Sequence, residues 1–137
     1  MNVLYVEDDK DYRETFSGRL SNLGCRVKAV ERPKDAAQEL ERDKFQLVIT
    51  DVVFASMDIS GDDFILMNKD ILQGTRVVAL TGQRQFIRHM DKLDTFGVTV
   101  IRKGEEEYVD EIVLEVFAER KAEICEQLTH SKSIISN

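Results

Sequence analysis

Short apolar runs alternate with amphipathic segments five times along the chain. The apolar runs are rich in Val, Ile and Leu, and the third and fourth show no polar alternation, which is typical of strands buried on both faces. The predicted strands are Val3–Val6, Cys25–Val30, Leu47–Thr50, Val77–Leu80 and Val98–Ile101. Strands of this kind indicate a parallel sheet that is covered by helices.

Each amphipathic segment predicts one helix. Gly24 is a favourable stop for the first helix, and Pro33 suits the first turn of the second. The third is expected to begin near Gly61, and the glutamates at 105–107 suit the start of the fifth because the helix dipole favours negative charge there. The apolar stripes are Tyr12, Phe16, Leu20 and Leu23 in the first helix, Ala36, Ala37 and Leu40 in the second, Phe64, Met67 and Ile71 in the third, Phe86, Met90 and Leu93 in the fourth, and Val109, Ile112, Val113, Val116 and Phe117 in the fifth. Five such units predict an α/β fold, a doubly wound (βα)5 five-stranded parallel sheet in a three-layer α/β/α arrangement.

The fifth helix is expected to continue beyond the domain. Residues 118–128 contain no Gly or Pro and are rich in helix formers, and Ile124 and Leu128 continue the line from Phe117. We therefore divide the chain into a domain over residues 1–119 and a C-terminal extension over residues 120–137. That extension comprises a helical segment, which pairs with a second copy or leads to an output domain, and a polar, solvated tail from Thr129.

Charge and composition exclude several classes of protein. The net charge is −7 with no basic cluster, which disfavours direct binding to nucleic acid. Cys25 and Cys125 lie far apart without ligand-spaced partners, so we expect packed thiols and neither a disulfide nor a zinc site. The first apolar run is too short for a signal peptide or a membrane span. A cytoplasmic protein is the resulting expectation.

Polar side chains follow four of the predicted strands. Glu7, Asp8 and Asp9 come after the first strand, Asp51 after the third, Thr81 after the fourth and Lys103 after the fifth. Because the carboxyl ends of parallel strands meet at one edge of the sheet, these groups are expected to converge there.

The chemistry of such a cluster points to phosphoryl transfer. Neighbouring carboxylates raise one another's pKa unless a cation is present, and Mg²⁺ suits one or two carboxylates with phosphoryl oxygens and water. A carboxylate such as Asp51 can attack phosphorus and form an acyl phosphate. Lys103 and Thr81 would then neutralise or hydrogen-bond the phosphoryl oxygens.

Each of these residues alone has an ordinary explanation. An aspartate after a strand is commonly a cap or turn residue, Thr81 before Gly82 fits a turn, and Lys103 before three glutamates fits a surface ion pair. The joint occurrence of these types at four strand ends, in this order, favours a working site.

Four stretches carry a resemblance to a known family. The chain resembles the response-regulator receiver domain of two-component signalling, a CheY-like, flavodoxin-like fold, over residues 1–117, through LYVEDD (4–9), LVITD (47–51), VVALTG (77–82) and VTVIRK (98–103). The resemblance implies that Asp51 is the phosphoacceptor and that Thr81 and Lys103 are the switch hydroxyl and the lysine of the site. It also implies a Mg²⁺ site formed by Glu7, Asp8, Asp51 and the backbone carbonyl of Val53.

The implied function is that of a signalling switch. It would take a phosphoryl group from a histidine kinase or phosphotransfer protein and regulate a downstream target or output domain, with a homodimer as a further option. We expect no enzymatic activity beyond the formation and loss of its own acyl phosphate. Val53 and Gln83 are expected to flank the path of the water that removes the phosphoryl group.

Several positions depart from the family pattern. Val100 stands where the family has an aromatic residue, and Gly104 stands where it tends to have proline. The loop from Val52 to Ser60 lacks proline and has Asp58 and Asp62 nearby, so we expect a longer, more mobile loop.

Three alternative functions follow from the same residues. The departures at Val100 and Gly104 keep a second hypothesis open, a degenerate receiver that binds a partner constitutively. A dehalogenase-type aspartyl-phosphate hydrolase is disfavoured because its Asp-x-Asp pair follows the first strand. Flavin binding is disfavoured because carboxylates would repel the phosphate.

Overall fold

The computed structural model describes residues 1–54, 59–82 and 87–136. Over these residues strands and helices alternate as the apolar pattern predicts, and the element bounds agree within a residue or two at most strands. The strands are β1 (Asn2–Val6), β2 (Arg26–Val30), β3 (Leu47–Thr50), β4 (Arg76–Thr81) and β5 (Thr99–Arg102), and the helices are α1 (Lys10–Asn22), α2 (Pro33–Arg42), α3 (Gly61–Met67), α4 (Met90–Phe96) and α5 (Glu107–Ser136).

The strands form one parallel sheet in the order β2-β1-β3-β4-β5. The prediction of a doubly wound α/β fold is therefore confirmed. Strand β1 lies between β2 and β3, so the chain order reverses there, and Val6 is in register with Thr50 at the carboxyl ends. The residues that follow β1 and β3 consequently leave the sheet side by side, where open α/β sheets bind their ligands.

Two apolar cores cover the two faces of the sheet. Alternate strand residues supply each core, with Leu4 and Val6 on one face and Val3 and Tyr5 on the other. Helices α2, α3 and α4 pack on the first face, whereas α1 and α5 pack on the second. Because the side chains of the central strands are covered on both faces, these strands need no polar alternation.

Helices α1 and α2 begin and end as their sequences indicate. Asp9 caps α1 by accepting a hydrogen bond from the Tyr12 N–H at 2.9 Å, and Gly24 follows the helix with a φ of +94°. Pro33 occupies the first turn of α2.

Helix α3 begins at Gly61 as predicted, but the prediction of its apolar stripe is wrong. Met67 and Ile71 are 71% and 46% exposed, whereas Ile65 and Leu72 are buried beside Phe64. The Asn68 side-chain amide donates to the Phe64 carbonyl at 2.8 Å, and the helix ends at Met67. Turns replace the expected second half of the helix, so the i+3, i+7 spacing no longer describes one face.

Helix α4 matches the predicted stripe where the structure describes it. Leu93 is buried and Met90 packs against the same core. Phe86, the first residue of that stripe, lies outside the described residues.

Helix α5 is longer than the sequence indicates. Val109, Ile112, Val113 and Val116 are buried and Phe117 packs beside them, while the backbone stays helical through Ser136. This differs from the solvated tail expected after Thr129, because residues 129–136 contain no helix breaker. The division of the chain at residue 119 stays a prediction.

Each of the two cysteines is a free thiol, and they differ in environment. Cys25 is buried in the core beneath α1, as expected, but Cys125 is exposed on α5, so its predicted packing is wrong. None of the described helices has both the length and the apolar character needed to cross a lipid bilayer.

Candidate functional site

The sheet itself positions the candidate side chains. Glu7 follows β1 directly, and its N–H donates to the Val30 carbonyl at 3.0 Å. Asp51 follows β3, and its N–H donates to the Val6 carbonyl at 2.9 Å. The sheet's hydrogen bonding thus extends one residue past the strands and fixes where these carboxylates begin.

Three carboxylates meet at this edge. Oxygens of Glu7, Asp8 and Asp51 lie within 4.8 Å of one another, and Glu7 and Asp51 are buried while Asp8 is half-buried. Like charges this close are unfavourable unless a proton, a cation or an ammonium group compensates them. The convergence that strand topology predicts for these residues is present in the structure.

Lys103 brings a positive charge into the cluster. Its N–H donates to the Thr81 carbonyl at 2.8 Å, and its ammonium donates to Glu7 Oε1 and lies 3.4 Å from Asp51 Oδ2. Burial by itself lowers the pKa of Lys103, but the hydrogen bond to Glu7 and the charges of Asp51 and Glu7 outweigh it and raise the pKa. Lys103 is therefore a cation at neutral pH.

Glu7 is a strongly perturbed carboxylate of the site. Burial raises its pKa to about 8, the approach of Asp51 adds to this effect, and Lys103 opposes it. Its Oε2 atom is buried and has no hydrogen-bond partner among the described residues. A buried, unsatisfied carboxylate oxygen is costly unless something binds it.

These features fit a divalent cation. Among the described residues, three carboxylates meet beside the Lys103 ammonium, the donors are all hard oxygens, and one buried oxygen of Glu7 has no hydrogen-bond partner. Mg²⁺ prefers such ligands and would complete its shell with water and phosphoryl oxygens. Glu7, Asp8 and Asp51 would hold it, and Val53 lies on the loop just after β3.

The backbone around Asp51 is closely packed. The Val52 N–H donates to Asp51 Oδ1 at 2.8 Å, and the Thr50 hydroxyl donates to the Asp51 carbonyl at 2.8 Å. A Cβ atom added at Gly61 would lie 1.8 Å from that carbonyl oxygen. Gly61 is thus required where α3 approaches Asp51, a role that its place at a helix start does not reveal.

Thr81, and the departures from the family pattern at Val100 and Gly104, are well defined here. Thr81 is buried at the end of β4, and Val100 on β5 packs half-buried against the core beneath α2, α3 and α4. Gly104 has a φ of +103°, which proline cannot adopt, and the bond that precedes it is trans.

Two further residues join the site without a sequence signal. The Tyr12 hydroxyl donates to Glu106 Oε1 at 2.6 Å, and the Lys103 ammonium lies 4.4 Å from the centroid of the Tyr12 ring. Tyr12 was assigned to the apolar stripe of α1 and Glu106 to the start of α5. Their partners lie more than 90 residues away in sequence, so local patterns could not connect them.

A second acidic group lies at the start of α3. Asp62 is fully buried and accepts hydrogen bonds from the Ser60 hydroxyl and the Arg88 N–H, while Asp63 pairs with Arg88 and His89 at 3.0 and 3.2 Å. Burial alone would raise the pKa of Asp63, but Ser60, Arg88 and His89 lower it. These partners account for the group as a junction between α3 and the segment before α4.

The loop that precedes α3 is described only in part. Asp62 belongs to the first turn of α3 and not to the loop after β3. Asp58 and Gln83 lie outside the described residues.

Comparison with known proteins gives one family. Residues 3–113 match the model of the response regulator receiver domain. No curated protein matches the chain.

Solved structures share the fold. The response regulator TrrA from Thermotoga maritima, crystallised with Mg²⁺ and BeF, is 19% identical with a TM-score of 0.72, covering 84% of this chain and 97% of that one. A CheY-like receiver domain protein from Methanospirillum hungatei is 17% identical with a TM-score of 0.75, covering 88% and 97%. The N-terminal domain of a protein from Wolinella succinogenes is 20% identical with a TM-score of 0.77, covering 90% and 98%.

Proposed function

Because the chain belongs to the response regulator receiver domain family, we propose that it is a phosphorylation-dependent signalling switch that accepts a phosphoryl group on Asp51. The observation that carries this proposal is the setting of the Asp51 carboxylate. It lies at the end of β3, where one of its oxygens is 3.4 Å from the Lys103 ammonium and its carboxylate is within 4.8 Å of those of Glu7 and Asp8.

The side chains divide the chemistry among them. A carboxylate oxygen of Asp51 forms the new bond to phosphorus while the bond from phosphorus to the donor's leaving atom breaks. Lys103 balances the charge of a phosphoryl oxygen, and the Thr81 hydroxyl donates a hydrogen bond to another. Mg²⁺, when bound by Glu7, Asp8 and Asp51 with the Val53 carbonyl, supplies further charge neutralisation.

Loss of the acyl phosphate needs a water molecule beside Asp51. Val53 is half exposed next to the site and has no group that orients water. Acyl-phosphate loss is accordingly slow, and the protein is a switch and not an enzyme that turns over a separate substrate.

The partners follow from the same chemistry. The phosphoryl donor is a histidine kinase or a phosphotransfer protein, and the recipient of the signal is a downstream protein or an output domain. The net charge of −7 disfavours direct contact with nucleic acid. A cytoplasmic location and homodimer formation through α5 belong to the same proposal.

One observation favours a second candidate function. Val100 cannot swing as an aromatic side chain would, and it already packs against the core. A receiver that binds its partner constitutively, without phosphorylation, would tolerate this residue.

The two functions differ in their response to a small phosphodonor such as acetyl phosphate. We expect wild-type protein to gain one phosphoryl group only when Mg²⁺ is present, measured by intact mass. Asp8→Ala should weaken Mg²⁺ binding in calorimetry by at least about tenfold and slow the reaction, since few protein ligands are available. Asp11→Ala, which removes a carboxylate in the first turn of α1, should behave like wild type.

One outcome would favour the constitutive binder, and another would contradict the proposed position of the metal site. Absence of any phosphoryl gain in wild-type protein supports the constitutive function. Equal Mg²⁺ titrations of wild type and Asp8→Ala place the metal elsewhere.

A further inference from the structure

The loop that carries Lys103 is not held in place by the rigidity of its own residues. Gly104 follows with a φ of +103°, a conformation that is freely available to glycine. Lys103 also has a long, flexible side chain, which loses considerable entropy when it is held in one place. Contacts from elsewhere in the fold must therefore keep its ammonium between Glu7 and Asp51.

One oxygen atom ties this loop to α1. Glu106 Oε1 accepts a hydrogen bond from the Gly104 N–H at 2.9 Å and another from the Tyr12 hydroxyl at 2.6 Å. The first bond closes the loop, and the second joins the closed loop to α1.

The ring of Tyr12 contacts the lysine directly. The Lys103 ammonium lies 4.4 Å from the ring centroid, within the range of a cation–π interaction. The ring itself stacks on Phe16 with centroids 6.0 Å apart, and Phe16 packs on Tyr5 in the core at 5.1 Å. The surface under the ammonium is thus anchored in the interior of the domain.

We propose that Tyr12 and Glu106 form a clamp that positions the Lys103 ammonium for phosphoryl transfer to Asp51. The inference rests on the proposed function and adds two positioning residues to it. Glu106 holds the backbone on one side of Lys103, and the Tyr12 ring limits where the ammonium can go on the other.

The ionisation states of the clamp support this arrangement. Burial, the hydrogen bond to Glu106 and nearby carboxylates raise the pKa of Tyr12, so its hydroxyl remains a donor. Burial alone would raise the pKa of Glu106, but the bonds from Tyr12 and Gly104 lower it. The pair is therefore a neutral phenol and a carboxylate at neutral pH.

The structure offers a matched control. Arg19 and Asp110 also join α1 to α5, through exposed hydrogen bonds of 2.9 and 2.6 Å. Arg19→Gln removes a tie between the same two helices and leaves the hydrogen bonds of Tyr12 and Glu106 in place.

The test compares phosphorylation by acetyl phosphate in saturating Mg²⁺. Tyr12→Phe and Glu106→Ala should each lower the maximal rate by about threefold to tenfold, with little change in the donor concentration at half-maximal rate, because misplacement of a catalytic group acts mainly on the chemical step. The double variant should be no slower than the slower single variant, since both break one device. Glu106→Gln should recover part of the rate, and Arg19→Gln should match wild type.

A second readout does not depend on phosphorylation. The side-chain methylene proton resonances of Lys103, recorded by NMR without donor, should shift in Tyr12→Phe and Glu106→Ala and stay in place in Arg19→Gln. If wild type takes up no phosphoryl group, the proposed function fails, and these resonances alone decide whether the clamp positions Lys103.

Three results would overturn the clamp. The first is normal rates together with unshifted Lys103 resonances in both single variants. The second is additive losses in the double variant. The third is an equal loss in Arg19→Gln, which would show that the contacts act only by holding the helices together.

Discussion

Glu7 is a buried carboxylate whose surroundings favour the binding of a cation. It is fully buried, it shares the Lys103 ammonium with Asp51, and one of its oxygens has no partner among the described residues. Burial is the main reason that its pKa rises from 4.5 to about 8. Between about pH 5 and about pH 8, without divalent ions, we therefore expect the folded protein to bind a proton at Glu7 that the unfolded chain releases.

This pKa predicts a pH-dependent stability. Its contribution to the free energy of unfolding is fully present below the unfolded pKa of 4.5 and is lost as the pH rises through about 8. Without divalent ions, the free energy of unfolding should fall between about pH 5 and about pH 8, and it should fall by at least about 1 kcal/mol more in wild type than in Glu7→Gln. Urea unfolding measures the difference.

Mg²⁺ provides the control for this prediction. At the higher pH it should restore wild-type stability by binding the folded state and should help Glu7→Gln much less. Parallel pH profiles of the two proteins would show that Glu7 is not protonated in the folded state.

We expect Val53 to govern a different property, the lifetime of the acyl phosphate. Its side chain is 51% exposed beside Asp51 and cannot orient water. Val53→Asn should speed dephosphorylation by about threefold or more, because an amide can position the attacking water, with little effect on folding. Decay of the phosphorylated mass after donor removal gives the rate.

Gln83 provides the companion experiment. It occupies the corresponding place after Thr81 but lies outside the described residues. Unchanged decay in both Val53→Asn and Gln83→Ala would contradict the expected path of water.

The sequence predicted these site residues to different degrees. Glu7, Asp51 and Lys103 could be placed together because parallel strands end at a common edge, so strand order along the chain already implies proximity. Tyr12 could not, since an aromatic residue on an apolar stripe has the same pattern whether it packs in a core or beneath a lysine. Only the tertiary distances to Lys103 and Glu106 distinguish the two cases.

At the scale of elements, the start of α3 packs closely against the residues that follow β3. The Gly61 N–H donates to the Val52 carbonyl at 2.7 Å, and an added Cβ at Gly61 would collide with the Asp51 carbonyl oxygen. The helix can lie against the loop after β3 only because residue 61 has no side chain.

Gly61→Ala should therefore lower the stability of the fold and disturb the geometry around Asp51. We expect a loss of at least about 2 kcal/mol in the free energy of unfolding, since backbone must move, together with slower phosphorylation. Gly18→Ala is the matched control, because Gly18 lies in α1 with no atom near its Cβ position and alanine favours helix there. Chemical denaturation of the two variants would contradict the packing argument if Gly61→Ala were as stable as Gly18→Ala.

Helix α3 also marks the limit of pattern-based prediction for whole elements. The residues Phe64, Met67 and Ile71 have helical spacing, but the helix ends at Met67, and the N–H and the side-chain amide of Asn68 both donate to the Phe64 carbonyl. Side-chain capping of this kind is local chemistry that hydrophobic periodicity does not include. The strands were predictable because burial on both faces leaves a strong apolar signature.

At the scale of the whole molecule, α5 extends well past the sheet. Its 30 residues span about 45 Å, and Arg76 still pairs with Glu115 and Glu119 along it. Beyond that point Ile124 and Leu128 are 50% and 58% exposed. A single helix in water gains little stability from such a stretch, so packing against a partner is the expected support.

Truncation after Ala118 tests the extension. We expect the helical circular dichroism signal to fall by more than the shorter length alone requires and the oligomeric mass measured by light scattering to decrease. In the full chain, Ile124→Gln with Leu128→Gln should act like the truncation, whereas Glu123→Gln should not. An unchanged mass with no loss of helical signal would refute a paired or projecting helix.

The proposed switch depends most on the identity of the phosphoacceptor. Intact mass spectrometry of wild type, Asp51→Asn and Asp62→Asn after treatment with acetyl phosphate and Mg²⁺ tests it directly, because Asp62 is a second buried aspartate whose oxygens are already hydrogen-bonded. Wild type and Asp62→Asn should gain one phosphoryl group, and Asp51→Asn should gain none. An equal gain in Asp51→Asn and wild type would contradict the assignment of Asp51.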